Sequence, residues 1–104
     1  MPDMDVFGAL ANPVRRQLLE ALRDGPLPAG ELAGRFALSR PSVSEHLAVL
    51  RQTGLVTEEP RGRHRYYHLA ASPLAEVRDW LDPFERYWRQ HLTALRDLVE
   101  GDDL

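Results

Sequence analysis

The strongest chemical signal in the chain is one short run, Arg61-Gly62-Arg63-His64-Arg65, which sets three guanidinium groups and an imidazole around a glycine. Guanidinium is a planar, permanently charged fork of N–H donors, suited to phosphate oxygens and to the acceptor edge of guanine. His64 would neighbour a phosphate. A second group precedes it: Ser39, Arg40, Ser42, Ser44 and Glu45 crowd one stretch, and Arg51 follows. Side chains this short or fork-shaped can reach base edges or phosphates without holding a helix away from them. The 104-residue chain has a net charge of −3, which seems wrong for gripping a polyanion until the charge is divided along its length. Residues 1–34 carry three arginines against five acids, and residues 66–104 carry four against eight. Residues 35–65 carry six arginines against Glu45, Glu58 and Glu59, a local +3. Counterion release depends on positive charge that faces phosphates locally, so the middle segment is the candidate contact surface. All 13 basic residues are arginine, which reflects base-composition bias first and binding chemistry second.

Other chemistries are excluded early. With no cysteine there is no disulfide, thiolate metal site, iron–sulfur cluster or cysteine nucleophile. A Gly-rich phosphate loop and Ser/His/Asp spacing are both missing, so the chain is not expected to be an enzyme. A composition of 43% hydrophobic and 28% charged residues is that of an ordinary soluble domain. The apolar runs are too short to span a bilayer and the N-terminus has no signal pattern, which makes the cytoplasm the default location.

The elements that must position these residues follow from periodicity. Residues 3–10 form a short opening helix with Met4, Phe7 and Leu10 on one face. Asn12 caps and Pro13 starts a second helix, carrying Val14, Leu18, Leu19 and Leu22 as far as Asp24. A third, from Pro28 or Ala29 to Ala37, buries Leu32 and Phe36. After a break at Leu38 and Ser39, Ser39 caps a fourth helix that ends on Gly54 as its left-handed residue. Its stripe Val43, Leu47 and Leu50 is buried, leaving Arg40, Ser44, Ala48 and Arg51 on the opposite face. The period then changes to two: residues 55–59 read as a strand, 60–63 as a turn and 65–69 as the returning strand. The last third is helical from Leu74 to Leu98, with Asp82-Pro83 marking a kink or a division into two helices. Residues 101–104 read as a frayed tail.

Helix, short turn, helix and a two-stranded hairpin with a basic tip make a winged helix-turn-helix, a mainly α fold with a small β-hairpin wing. A helix corner alone occurs in many α proteins; the added arginine-rich hairpin makes the combination specific. The stretch from Phe7 to Leu69 resembles the ArsR/SmtB family of bacterial winged-helix repressors. The resemblance rests on residues 10–19, on Glu31-Leu32, on residues 39–47 and Leu50, on Gly54-Leu55-Val56 and on residues 61–67. It implies a homodimer that binds operator DNA and lowers transcription until an effector releases it. It also implies base reading by Arg40, Ser42, Ser44 and Glu45, with wing arginines near the minor groove or backbone. Two residues depart from the pattern, since the family commonly has glutamine at position 40 and an uncharged or basic residue at 45. Arg40 could pair with guanine and Glu45 accept from cytosine, favouring a G·C-containing operator. Alternatively, Arg40 touches phosphate and Glu45 pairs with Arg40 or Arg51.

Metal sensing, common in the family, lacks its ligands here. Ala33 and Arg35 stand where one family site has cysteines, and the last helix offers Asp79, Asp82 and a single His91. No cofactor is therefore expected. His91 lies on an apolar seam of two columns, Val77, Phe84, His91, Leu98 and Leu74, Leu81, Trp88, Leu95, suited to packing against a twin. There it reads as a hydrogen-bonded seam histidine, a pH-responsive role being the unsupported alternative. Trp80, Tyr87 and Trp88 read as dimer core; a cavity among them would be apolar and take a small organic effector. His46 and His68 read as structural. Arg15 and Arg16 read as solvated or intersubunit ion-pair partners, with phosphate contact the alternative.

Residues 1–104 are thus expected to form one DNA-binding domain, its reading core at 13–69 and its dimerisation elements at 3–11 and 73–100. The expected partners are duplex DNA, a second copy of the chain and an unidentified small effector, and no membrane. A winged helix serving protein–protein interaction is the competing class, and within the repressor reading a metal-responsive ArsR-type repressor is the alternative.

Overall fold

Three polar caps set the frame of the helical half, in the computed structural model that describes residues 4–101. The Asp5 carboxylate accepts from the Gly8 amide at 2.8 Å and starts α1 (Val6–Leu10). Asn12 Oδ1 accepts from the amides of Val14 and Arg15 at 2.8 and 3.1 Å and starts α2 (Pro13–Ala21), which tightens into a 3-10 turn at Leu22–Asp24. Ser39 Oγ accepts from the Ser42 amide at 3.2 Å and starts α4 (Arg40–Gln52). Each cap satisfies amides that a helix N-terminus leaves without partners. Gly54, at φ +79°, lets the Leu55 amide turn back to the Leu50 carbonyl at 2.9 Å and closes α4.

Between α2 and α4 lies α3 (Ala29–Arg35), shorter than its apolar pattern suggested. Ala37 takes the left-handed conformation at φ +54°, and the Leu38 amide bonds the Ala33 carbonyl at 3.0 Å, so the helix cannot reach residue 37. This turn joins α3 to α4. The core beneath is made by Leu18, Leu22, Leu32, Val43, Leu47, Leu50, Leu55 and Val56, all buried.

The sheet has three strands, where the sequence suggested two. β1 (Leu27–Pro28) pairs antiparallel with β3 (His64–Leu69), and β3 pairs with β2 (Val56–Arg61) in the order β1-β3-β2. Leu27 lies opposite Tyr67, and Val56 opposite Leu69. The hairpin is also tighter than expected. Arg61 pairs with His64, leaving Gly62 and Arg63 as a two-residue turn with Gly62 at φ +60°. Pro60 therefore belongs to the strand rather than to a turn, which an edge strand such as β2 tolerates.

α1 begins at Val6, so Met4 precedes it and is 41% exposed; the expected start at residue 3 and the tail residues 102–104 lie outside the described residues. Val6 and Ala9 form its buried face, and Phe7 and Leu10 pack half-buried beside the core. α5 (Leu74–Gly101) is one 28-residue helix with Pro83 inside it, not two helices. Only its first turns touch the body: Leu74 and Val77 pack on the core, and Trp80 meets Phe7 edge-on at 5.8 Å. From Arg78 onward every described side chain is exposed. The radius of gyration, 19.1 Å, consequently exceeds the roughly 13 Å of a compact chain this long. No helix among the described residues is long and apolar enough to cross a membrane.

Candidate nucleic-acid interface

Arg40 occupies the first turn of α4, held there by the Ser39 cap and by Pro41, whose fixed φ suits that turn. Its guanidinium lies over the start of α3, where Gly30 has no side chain; a methyl group at Gly30 would meet Arg40 Nη1 at 3.3 Å. One turn on, Ser44 is exposed on the same face. Across from them the Gly62-Arg63 turn brings Arg63, His64 and Arg65 to the walls of one cleft of about 570 Å³, with Tyr67 and residues 28–31 also lining it. Arg40 and Arg63 thus face one space, and neither has an ion-pair partner among the described residues.

The remaining expected contact residues are placed differently. Ser39 spends its hydroxyl on the cap, and Ser42 is half-buried. Glu45 is exposed and pairs with neither Arg40 nor Arg51 among the described residues, contrary to one of the two sequence readings. Arg51, in the last turn of α4, lies 3.0 Å from Glu58 Oε2 and does not line the cleft. Arg65 does line it, while donating to Glu58 Oε1 at 2.6 Å. Arg61 is turned away: it pairs with Glu59 and stacks over the Tyr66 ring at 4.7 Å. The Arg61 hydrogen bond pulls the Glu59 carboxyl below its usual range, aided by His68 at 3.4 Å. Burial, and then the nearby Glu58 carboxylate, push the Tyr67 phenol up.

Sequence reasoning missed the acidic partners on β2 and the part that residues 28–31 take in the cleft. It also missed the carbonyl contacts of Arg15 and Arg16, neither of which is ion-paired among the described residues. Arg15 donates to the carbonyls of Ala9 at 2.8 Å and Gly8 at 3.1 Å, and its Nη1 lies 3.5 Å from His46 Nδ1. Arg16 donates to the Leu10 carbonyl at 2.6 Å. Both arginines therefore close the C-terminal end of α1, where the Gly8 carbonyl also accepts from the Ala11 amide at 3.2 Å.

On α5 the apolar surface is wider than two columns. Trp80, Tyr87, Leu92 and Val99 are exposed together with Leu81, Phe84, Trp88, Leu95 and Leu98. At about 100° per residue these span an arc of roughly 140° that includes His91. Tyr87 Oη and His91 Nε2 lie 3.2 Å apart. The groove on this arc, about 400 Å³, is lined by Leu81, Phe84, Glu85 and Trp88 of α5 alone, so Trp80 and Tyr87 do not enclose it. Among the described residues no three His, Asp or Glu side chains converge as metal ligands would.

Comparison with known proteins points the same way as the geometry. A helix-turn-helix domain model matches residues 10–59. The HTH-type transcriptional regulator Rv2034 of Mycobacterium tuberculosis is 45% identical over 97 residues, covering 91% of this chain and 88% of that protein. The transcriptional repressor SdpR of Bacillus subtilis is 35% identical over 77 residues, 74% of this chain and 86% of that one. Among solved structures, an ArsR-like transcriptional regulator from Rhodococcus superposes with a TM-score of 0.72 at 29% identity, over 92% of this chain and 88% of that one. The chain belongs to the ArsR/SmtB family of winged helix-turn-helix transcriptional regulators, which are not enzymes.

Proposed function

We propose that this regulator is a repressor that binds, as a homodimer, an inverted-repeat operator in duplex DNA and needs no metal effector. The observation that carries the reading is the shared cleft: Arg40 and Ser44 of α4 face the same space as Arg63, His64 and Arg65 of the wing. A helix in the major groove with its N-terminal turn at the bases, and wing arginines on adjoining backbone, use those groups together. In this reading Arg40, Ser42, Ser44 and Glu45 meet bases, and Ser39, Arg51, Arg61, Arg63, His64 and Arg65 meet or flank phosphates. Residues 13–69 are the reading unit, and residues 3–11 and 73–100 the pairing elements. Pairing is supported by the uncovered apolar arc on α5, since soluble monomers rarely expose a large contiguous apolar patch. The repressor role follows the name of the Bacillus subtilis relative.

Selection of bound duplexes from a random pool tests this reading. The expected result is a palindrome whose half-sites lie about one helical turn apart, bound with steep salt dependence and unchanged by zinc or chelator. Transcription from a promoter overlapping that palindrome falls when the protein is present. A chain that forms no salt-sensitive specific complex is instead a protein-interaction module, and zinc-dependent release makes it a metal sensor.

A further inference from the structure

Glu58 is an acid among the arginines of the wing. Its side chain is only 15% exposed, and its two oxygens are divided between two cations, Oε2 lying 3.0 Å from Arg51 Nη1 and Oε1 accepting from Arg65 Nη1 at 2.6 Å. Arg51 belongs to α4 and Arg65 to β3, so a single carboxylate on β2 ties the recognition helix to both wing strands. Directly across the ladder lies Tyr67, 8% exposed. The basic residues of the interface therefore fall into two sets. Arg40 and Arg63 are unpaired among the described residues; Arg51 and Arg65 are held by one shared acid, and Arg61 by Glu59.

We propose that Glu58 is a positioning residue that determines specificity, fixing the wing against the recognition helix and cancelling part of the positive charge that would otherwise grip any duplex. The proposal rests on the DNA-binding reading above and deepens it. Sequence-independent binding is driven by counterion release, with a log–log salt slope of about 0.9 per phosphate neutralised. One additional contact strengthens binding about eightfold at 0.1 M relative to 1 M salt. A carboxylate within 3.0 Å of two guanidiniums keeps one unit of that charge cancelled. Its arginines are 49% and 68% exposed, and ion pairs this open exchange partners at small cost. On an operator, where base contacts hold α4 in register, Arg65 can turn to phosphate; on random duplex the cancelled charge simply lowers affinity.

Glu58→Gln keeps the side chain's length and removes its charge. With the full-length chain, affinity for a scrambled duplex should rise about eightfold per protomer at 0.1 M salt and the slope steepen by about 0.9. Affinity for the selected palindrome should rise less, so discrimination falls. Glu58→Asp, which retains the charge, should bring slope and discrimination back toward the parent values, a rescue that a purely steric role would not give. Should Glu58→Gln melt below the assay temperature, Glu58→Thr, suited to a strand, carries the same comparison. Slope and discrimination unchanged in the charge-free variant overturn the proposal. So do weaker binding to both duplexes with a shallower slope, or a Glu58→Asp indistinguishable from Glu58→Gln. A parent chain that binds no duplex refutes the DNA-binding reading itself, whereas a parent that binds and an inert substitution refute only the role of Glu58.

Discussion

Replacing Arg63 by alanine separates the wing's contribution from that of the recognition helix. Arg63 follows Gly62 in the two-residue turn, is exposed, and has no ion pair or side-chain hydrogen bond among the described residues. Truncating it therefore removes no support from the fold, and a change in stability beyond about 0.5 kcal/mol is not expected. Its charge faces the same cleft as Arg40, so the loss falls on binding. With one phosphate lost per protomer, the slope of log affinity against log salt shallows by about 0.9, or about 1.8 for a pair of wings. At 0.1 M salt that weakens binding about eightfold per protomer and about sixtyfold for the pair. Fluorescence anisotropy with the selected palindrome and a scrambled duplex, from about 50 to 200 mM salt, reads slope and affinity together. Both duplexes should weaken by the same factor, because phosphate carries no sequence. An unchanged slope removes Arg63 from the footprint, and a loss confined to the palindrome makes it a base reader.

The other substitutions divide between the interface, the frame and the pairing surface. Arg40→Ala should cost about 1–3 kcal/mol of operator binding and relax preference at one operator position; uniform weakening in a repeat selection assigns Arg40 to phosphate. Arg15→Met strips the Ala9 carbonyl of its side-chain donor and the Gly8 carbonyl of one of two, and should destabilise the fold by about 2 kcal/mol in thermal melts; an unchanged Tm contradicts the capping role. Ala37→Gly relieves a left-handed alanine and should add about 1 kcal/mol, raising Tm by about 4–8 °C; a fall in Tm contradicts the strain. Leu95→Glu, on the exposed arc of α5, should shift sedimentation toward monomer and weaken operator binding; a parent chain that sediments as a monomer at micromolar concentration refutes the pairing outright.

What the sequence disclosed and what it concealed follow from the range of the interactions. Asn12, Ser39 and Gly54 act on amides and carbonyls within five residues of themselves, so their roles were legible as spacing. The buried stripe of α4, Val43, Leu47 and Leu50, was legible for the same reason. β1 was not, because Leu27 and Pro28 become a strand only by meeting Tyr67 and Tyr66, far along the chain. Pro60 was misread as the start of a turn because its missing amide proton is tolerated only once β2 is known to be an edge. Arg15 and Arg16 resemble any exposed basic pair until α1 folds back and presents its carbonyls. In the candidate site, the helix face and the wing tip were legible from residue type. The division between free and held arginines was not, since it depends on Glu58 and Glu59 facing them across elements.

The same distinction between local and distant support bears on why α5 should be helical at all. Its polar face is stitched by i, i+4 ion pairs, Arg86 with Asp82 and Arg89 with Glu85, each worth only about 0.3–0.5 kcal/mol. Against these stands Pro83, which removes one backbone hydrogen bond and costs about 3 kcal/mol in a helix interior. Isolated helices are marginal in water even without a proline, and beyond Trp80 every described side chain of this one is exposed. Local interactions therefore do not account for a 28-residue helix; in the proposed dimer, covering its apolar arc does, because each large side chain covered returns about 1.5–3 kcal/mol. Under the proposed pairing, folding of α5 and association with a second copy are one process. Phe7, which meets Trp80, links that process to α1, and Arg15 links α1 to His46 on the recognition helix. In the proposed dimer, the DNA-reading surface is in this way held on a frame that pairing completes.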